Sequence, residues 1–104
     1  MNVKIVVFTP LAAADAVRTA LAEAGAGHIG NYDFCSFSSR GVGRFRPLDG
    51  ANPHIGEHGI VEEVEEERIE TICPKDILDR VLEKLREAHP YEEPAIDVYP
   101  LLEP

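Results

Sequence analysis

A ferredoxin-like α+β fold, an antiparallel sheet with two helices on one face, is the class this sequence predicts. Three observations carry that expectation. Val3 to Phe8 is apolar at five of six positions, as a central strand covered on both faces should be. Lys75 to Ala88 sets Ile77, Leu78, Val81, Leu82, Leu85 and Ala88 on one helical face. The element order reads β-α-β-(β)-β-α-β, two βαβ-type halves joined in the middle.

The elements follow in order. Thr9-Pro10 predicts a helix start, with Thr9 as cap and Pro10 in the first turn. Val17, Ala20, Leu21 and Ala24 then form a buried stripe, with Asp15, Arg18 and Glu23 on the other side. Gly25 and Gly27 end the helix in the left-handed conformation that glycine takes at little cost. A strand is expected at about Tyr32 to Ser39, a turn at Arg40-Gly41, and a short hairpin partner at Val42 to Arg46. Pro47 to Gly59, with two prolines and three glycines, reads as a long loop. From Ile60 to Cys73 the pattern is mixed. Ile69, Thr71 and Cys73 alternate cleanly, whereas Glu62, Glu63, Glu65, Glu66 and Glu67 are poor strand formers. One reading is a long strand whose first half projects into solvent or along a partner chain; the other is loop or helix as far as Glu67. Pro90 stops the second helix and pushes His89 out of helical geometry. Ile96 to Leu101 closes the sheet, with Pro100 marking an edge.

At 104 residues the chain, 1–104, is expected to form a single domain. Its formal charge of −9 repels phosphates, so neither nucleic acid nor an anionic membrane is an expected partner. No apolar run approaches the ~18 residues of a membrane span. VKIVVF at the start reads as a strand and not a signal peptide, which places the chain in the cytoplasm. Cys35 and Cys73 lack a CxxC spacing and are expected to be reduced, buried thiols. If Val3, Ile5 and Val7 face the helices, Val6 and Phe8 point to a bare sheet face. Exposing it costs about 25 cal/mol per Å², which points to a homo-oligomer.

Candidate site residues fall in three clusters. His28, in GHIGN, lies between Gly27 and Gly30, whose backbone allows close approach of a small ligand; Asn31 and Tyr32 stand beside it. The competing reading is a histidine that shapes the turn. His54, Glu57 and His58 offer imidazole and carboxylate donors suited to a divalent metal such as zinc, nickel or copper. One loop supplies few fixed ligands, and solvated loop residues are the alternative. His89, Tyr91 and Glu92, in HPYEEP, form the third cluster, in which His89 alternatively complements the helix dipole. The HPYEEP turn and the glycine turn both follow helix C-termini. They are expected at the same end of the sheet, bringing His28, Asn31, Tyr32, His89, Tyr91 and Glu92 around one ligand. Neither cysteine has a basic neighbour in sequence to activate it as a nucleophile. Arg40, Arg44 and Arg46 are suited to bind an acidic group or to bridge to glutamates of another subunit, the bridge being the favoured expectation.

Three stretches carry a family resemblance: GAGHIGNYDFCSFSSRGVGRFRPLDGANPHIGEHG, RIETICP and AHPYEEPAIDVYPL. Together they resemble the CutA-like inserted domain of YqfO-type, Nif-three-like proteins, over roughly residues 3 to 101. The resemblance implies a P-II/CutA-like ferredoxin fold, related to trimeric signalling and cation-tolerance proteins. It therefore implies a homotrimer in preference to a dimer. Proteins of this family hold paired metal ions in two flanking halves and are often labelled GTP cyclohydrolase type 2 homologues. Those halves have no counterpart here, so the chain is expected to carry the domain alone and to inherit none of the metal-ligand roles. Glu67 stands where the pattern expects an apolar residue. The favoured expectation is a non-catalytic oligomeric binding or regulatory module, with a small ligand or divalent metal at subunit clefts. The alternatives are a metal-assisted hydrolase by family association and a purely structural interaction domain.

Overall fold

The computed structural model describes residues 1–103. Four strands form one antiparallel sheet: β1 (Asn2–Pro10), β2 (Phe37–Phe45), β3 (Glu62–Pro74) and β4 (Ile96–Pro100), in the order β2-β3-β1-β4. Helices α1 (Ala14–Glu23) and α2 (Leu78–Ala88) follow β1 and β3, each entered through a short 3-10 turn. The core lies between helices and sheet. Val3, Ile5, Val7, Ile69 and Cys73 from the strands meet Val17, Leu21, Val81 and Leu85 from the helices. This is the ferredoxin-like α+β arrangement that the element order predicts.

The helix ends are set as the sequence suggests. The Gly25 N–H bonds the Ala22 carbonyl and the Ala26 N–H bonds the Leu21 carbonyl, closing α1 with Gly25 at φ 116°. Arg80 donates to the Ala24 carbonyl at 2.7 Å, tying that end to α2. His89, just before Pro90, is extended.

Some details differ from expectation. Thr9 is not a helix cap: β1 continues through it, because Thr9 and Pro10 remain in register with Glu67 and Glu66. The second strand is not Tyr32 to Ser39 with a turn at Arg40-Gly41. Phe34 takes φ 57°, which interrupts extended geometry, and one uninterrupted strand runs from Phe37 to Phe45. Gly43 serves that strand by leaving room for the Glu66 side chain, since a Cβ there would collide with Glu66 Oε1. The long-strand reading of the glutamate-rich stretch holds, since β2 pairs with β3 from Glu62 to Glu70.

The outer sheet face is also not a bare apolar surface. Val6 lies between Glu70 and Asp97, flanked on its own strand by Lys4 and Phe8, and is fully buried. Lys4 and Arg68 both pair with Glu70, at 3.8 and 3.6 Å, and Arg68 lies 5.9 Å over the Phe8 ring. A monomer therefore covers Val6 itself. What it leaves uncovered is the far half of the β2–β3 hairpin. There the helix-side residues Val42, Arg44, Glu63 and Glu65 are exposed, and the molecule measures 46 × 24 × 23 Å.

Candidate functional site

A cavity of about 540 Å³ opens on the outer sheet face. Its floor is sheet, from Phe8, Gly43, Phe45 and Glu66; its walls are the Pro47–Gly59 loop and the turn after α2. That loop is tied down and not free. Its ends close through the Gly59 N–H to the Pro47 carbonyl at 2.8 Å. Its middle is held where the Asn52 N–H donates to Glu92 Oε1 at 3.0 Å. Loop closure of this kind lowers the conformational entropy a ligand would otherwise have to remove.

Tyr91 is the centre of the wall. Its ring packs on Phe45, His54 and His89 at centroid separations of 5.9, 6.2 and 5.1 Å, and its hydroxyl donates to Glu66 Oε2 at 3.1 Å. Burial, reinforced by the negative charge and hydrogen bond of Glu66, pushes the phenol up to about 12. Glu66 itself is 7% exposed and accepts only this one side-chain hydrogen bond. His89 anchors the turn: Nε2 donates to the Phe8 carbonyl at 2.8 Å, and Nδ1 accepts the Tyr91 N–H at 3.1 Å. Burial holds its pKa below the ordinary value, and these two bonds require the neutral tautomer protonated at Nε2.

The two turns do not converge. The Gly27 N–H bonds the Ile72 carbonyl, opposite Lys4, whereas His89 bonds Phe8. Four strand residues, roughly 13 Å, separate these levels. The reason is topological: α1 runs back towards the start of β1, and α2 runs the opposite way. His28, Asn31 and Tyr32 are exposed in a tight turn closed by Ile29 and Tyr32. Tyr91, Glu92 and His54 line the cavity. Its metal-set neighbours are dispersed: His58 bonds the Ala51 carbonyl at 2.7 Å. Among the described residues no three His, Cys, Asp or Glu side chains gather as a cation site. Cys73 is buried and free, its thiol pKa raised by burial; Cys35 is free and only half-buried. Arg44, expected to reach another subunit, pairs with Glu63 of its own chain at 3.1 Å.

Sequence reading missed Glu66, Phe45 and Gly43. The available signal is Gly41 and Gly43, two residues apart on one face of a strand that pairs with a glutamate-rich one. In isolation, glycine there reads as a turn.

Comparison with known proteins decides the lineage. No protein-family model matches the chain. It is 53% identical over 98 residues to a GTP cyclohydrolase 1 type 2 homolog of Halalkalibacterium halodurans, and 51% to that of Bacillus subtilis, each match covering 94% of this chain. A solved Bacillus cereus protein related to NIF3 superimposes with a TM-score of 0.84 at 52% identity, over 96% of this chain and 25% of that one. The chain is a CutA-like domain of the Nif3-related type. It spans only 26% of the length of the curated relatives named. The periplasmic divalent cation tolerance protein CutA from Archaeoglobus fulgidus shares the fold, with a TM-score of 0.73 at 18% identity, over 100% of this chain and 87% of that one.

Proposed function

We propose that this CutA-like domain is a non-catalytic, oligomeric binding module whose ligand enters the cavity beside Tyr91. The observation that carries the reading is the cavity itself. It has the size of a small-molecule site, apolar walls and a single buried carboxylate at its floor. The chemistry of the lining favours binding over reaction. A tyrosine with a pKa of about 12 is a weak general acid at neutral pH. His89, the nearest imidazole to that hydroxyl's ring, has both nitrogens committed to the backbone.

In this reading Tyr91, Glu92 and His54 contact the ligand and His89 holds the turn. His28, Asn31 and Tyr32 form a separate exposed surface, suited to a neighbouring chain. A divalent metal at His54, Glu57 and His58 would need rearrangement of the loop or donors from a second copy. The homotrimer, with a dimer as the alternative, is the assembly that fits the exposed hairpin.

The test is thermal-shift screening of the purified protein with small organic compounds, nucleotides and divalent ions, followed by calorimetry on each hit. Ile55→Trp, which fills the cavity, is expected to abolish binding of any organic hit, whereas His28→Ala/Asn31→Ala leaves it intact. The opposite pattern would move the site to the glycine turn. Loss of a metal hit in His54→Ala/His58→Ala alone would establish the loop as a metal site.

A further inference from the structure

We propose that the ligand of this cavity is a small organic cation, an aryl- or alkylammonium, with Glu66 as its counter-ion. The inference rests on the cavity reading above and adds the chemical class of the occupant.

Glu66 is the reason. Its carboxylate lies at the cavity floor in the space that Gly43 leaves by lacking a side chain, and the residue is almost wholly withdrawn from solvent. A buried carboxylate ordinarily finds a cation or several donors, because desolvating the charge is costly. Every ion pair among the described residues uses another acid: Glu70 takes Lys4 and Arg68, Glu67 and Asp15 take Arg18, Glu63 takes Arg44, and Glu87 takes Lys84. Glu66 has one neutral donor, the Tyr91 hydroxyl on Oε2. Among the described residues no donor bonds Oε1, which lies against Gly43 in a residue that lines the cavity.

The walls complete the match. Phe45 and His54 pack their rings on Tyr91 in the cavity lining, and the Tyr91 hydroxyl meets the carboxylate. Ring faces attract a cation more strongly as water is excluded. Phe8, Pro47 and Leu48 supply the apolar surface for the ligand's hydrocarbon part. Arg44 and Arg46 also line the cavity, but both are exposed, and Arg44 is held by Glu63. Their charge therefore acts through solvent, whereas that of Glu66 acts at contact. The chain's net charge of −9 draws cations towards the surface at long range.

The experiment is an NMR titration of the ¹⁵N-labelled protein at neutral pH with three probes of one shape: phenethylamine, 2-phenylethanol and phenylacetate. Phenethylammonium is expected to shift the amides of Gly43, Phe45 and Glu66. It should bind about tenfold more tightly than the alcohol, the margin of a charge-assisted over a neutral hydrogen bond. Phenylacetate should bind least. Glu66→Gln is nearly isosteric and still accepts from Tyr91, so its fold should survive. It should bind amine and alcohol alike. Tyr91→Phe, which removes the internal donor and keeps the ring, should retain the preference for the amine. Equal binding of amine and alcohol by the unmodified protein overturns the counter-ion and leaves the cavity reading standing. If no probe shifts the cavity amides, or a second copy already covers them at every concentration, both proposals fall.

Discussion

His89 spends both ring nitrogens on backbone groups of two different segments, β1 and the turn after α2, and so joins the cavity wall to the sheet. The arrangement requires a neutral ring, and burial lowers the pKa below 6.5 accordingly. The folded state then binds fewer protons than the unfolded state between its own depressed pKa and 6.5. This contribution to stability is complete above pH 6.5, is lost as pH falls, and stops changing once the folded-state pKa is passed. His89→Gln keeps a donor for the Phe8 carbonyl and cannot titrate in this range. Urea denaturation of the variant is expected to show about 1 kcal/mol less stability at neutral pH, because the Tyr91 N–H loses its acceptor. It should also show a shallower decline than the parent between about pH 7 and about pH 5. Parallel declines would mean that His89 does not titrate differently in the two states.

Strand β3 and helix α1 meet through a polar contact that the periodicity of neither suggests. Arg18 was expected on the solvent side of α1, and Glu67 interrupts an apolar alternation. Yet Arg18 Nη1 reaches Glu67 Oε1 at 2.6 Å and Ser38 Oγ at 3.1 Å, with Asp15 bonded to Nη2. The hydrogen bonds that Arg18 donates to Asp15, then to Glu67, hold the guanidinium pKa above its ordinary value despite the cost of partial burial. The Glu67 side chain is 13% exposed, whereas both members of the Arg44–Glu63 pair are 62% exposed. Glu67→Ala is therefore expected to cost about 1–2 kcal/mol, since it removes the less exposed of the guanidinium's two carboxylate partners. Glu63→Ala should cost less than about 1 kcal/mol. Equal losses in denaturant titrations would show that the Arg18 contact adds nothing beyond a surface pair. The elements legible in advance, β1 and α2, are those in which periodicity and burial agree. Tyr32 to Arg46 is poorly legible because its aromatics look like strand residues although Phe34 adopts a positive φ, and because Gly43 makes room for Glu66 instead of turning the chain. The cavity was half legible. HPYEEP stands out as a motif, but nothing local distinguishes Glu66 from its four acidic neighbours; only the folded sheet pairs Gly41 with Glu66 and lays its carboxylate against Gly43.

For the molecule as a whole, the radius of gyration of 14.5 Å exceeds the ~13 Å usual for a domain of this length. The excess lies in the β2–β3 arm, which leaves the helical layer behind. Such an arm exposes Val42, 51% accessible, on one face and the unpaired edge of β2 along its side, and an open edge is a surface that proteins usually cover. Phe37 and Tyr99 are also exposed, on the outer faces of the two edge strands. Val6 gives no reason for assembly, because Lys4, Glu70 and Arg68 surround it and it is buried within the monomer. The arm supplies a different one: a neighbouring copy laid along β2 would satisfy its backbone groups and cover Val42 together. Light scattering at micromolar concentration is accordingly expected to give a multiple of 11.5 kDa, three copies before two. Val42→Glu/Phe37→Glu should shift the population towards monomer without altering the circular dichroism, since neither side chain joins the core cluster. A parent protein that is monomeric at all concentrations would leave the arm free in solution. An oligomer untouched by the double substitution would move the interface to the exposed turn at Ile29, Tyr32 and Phe34.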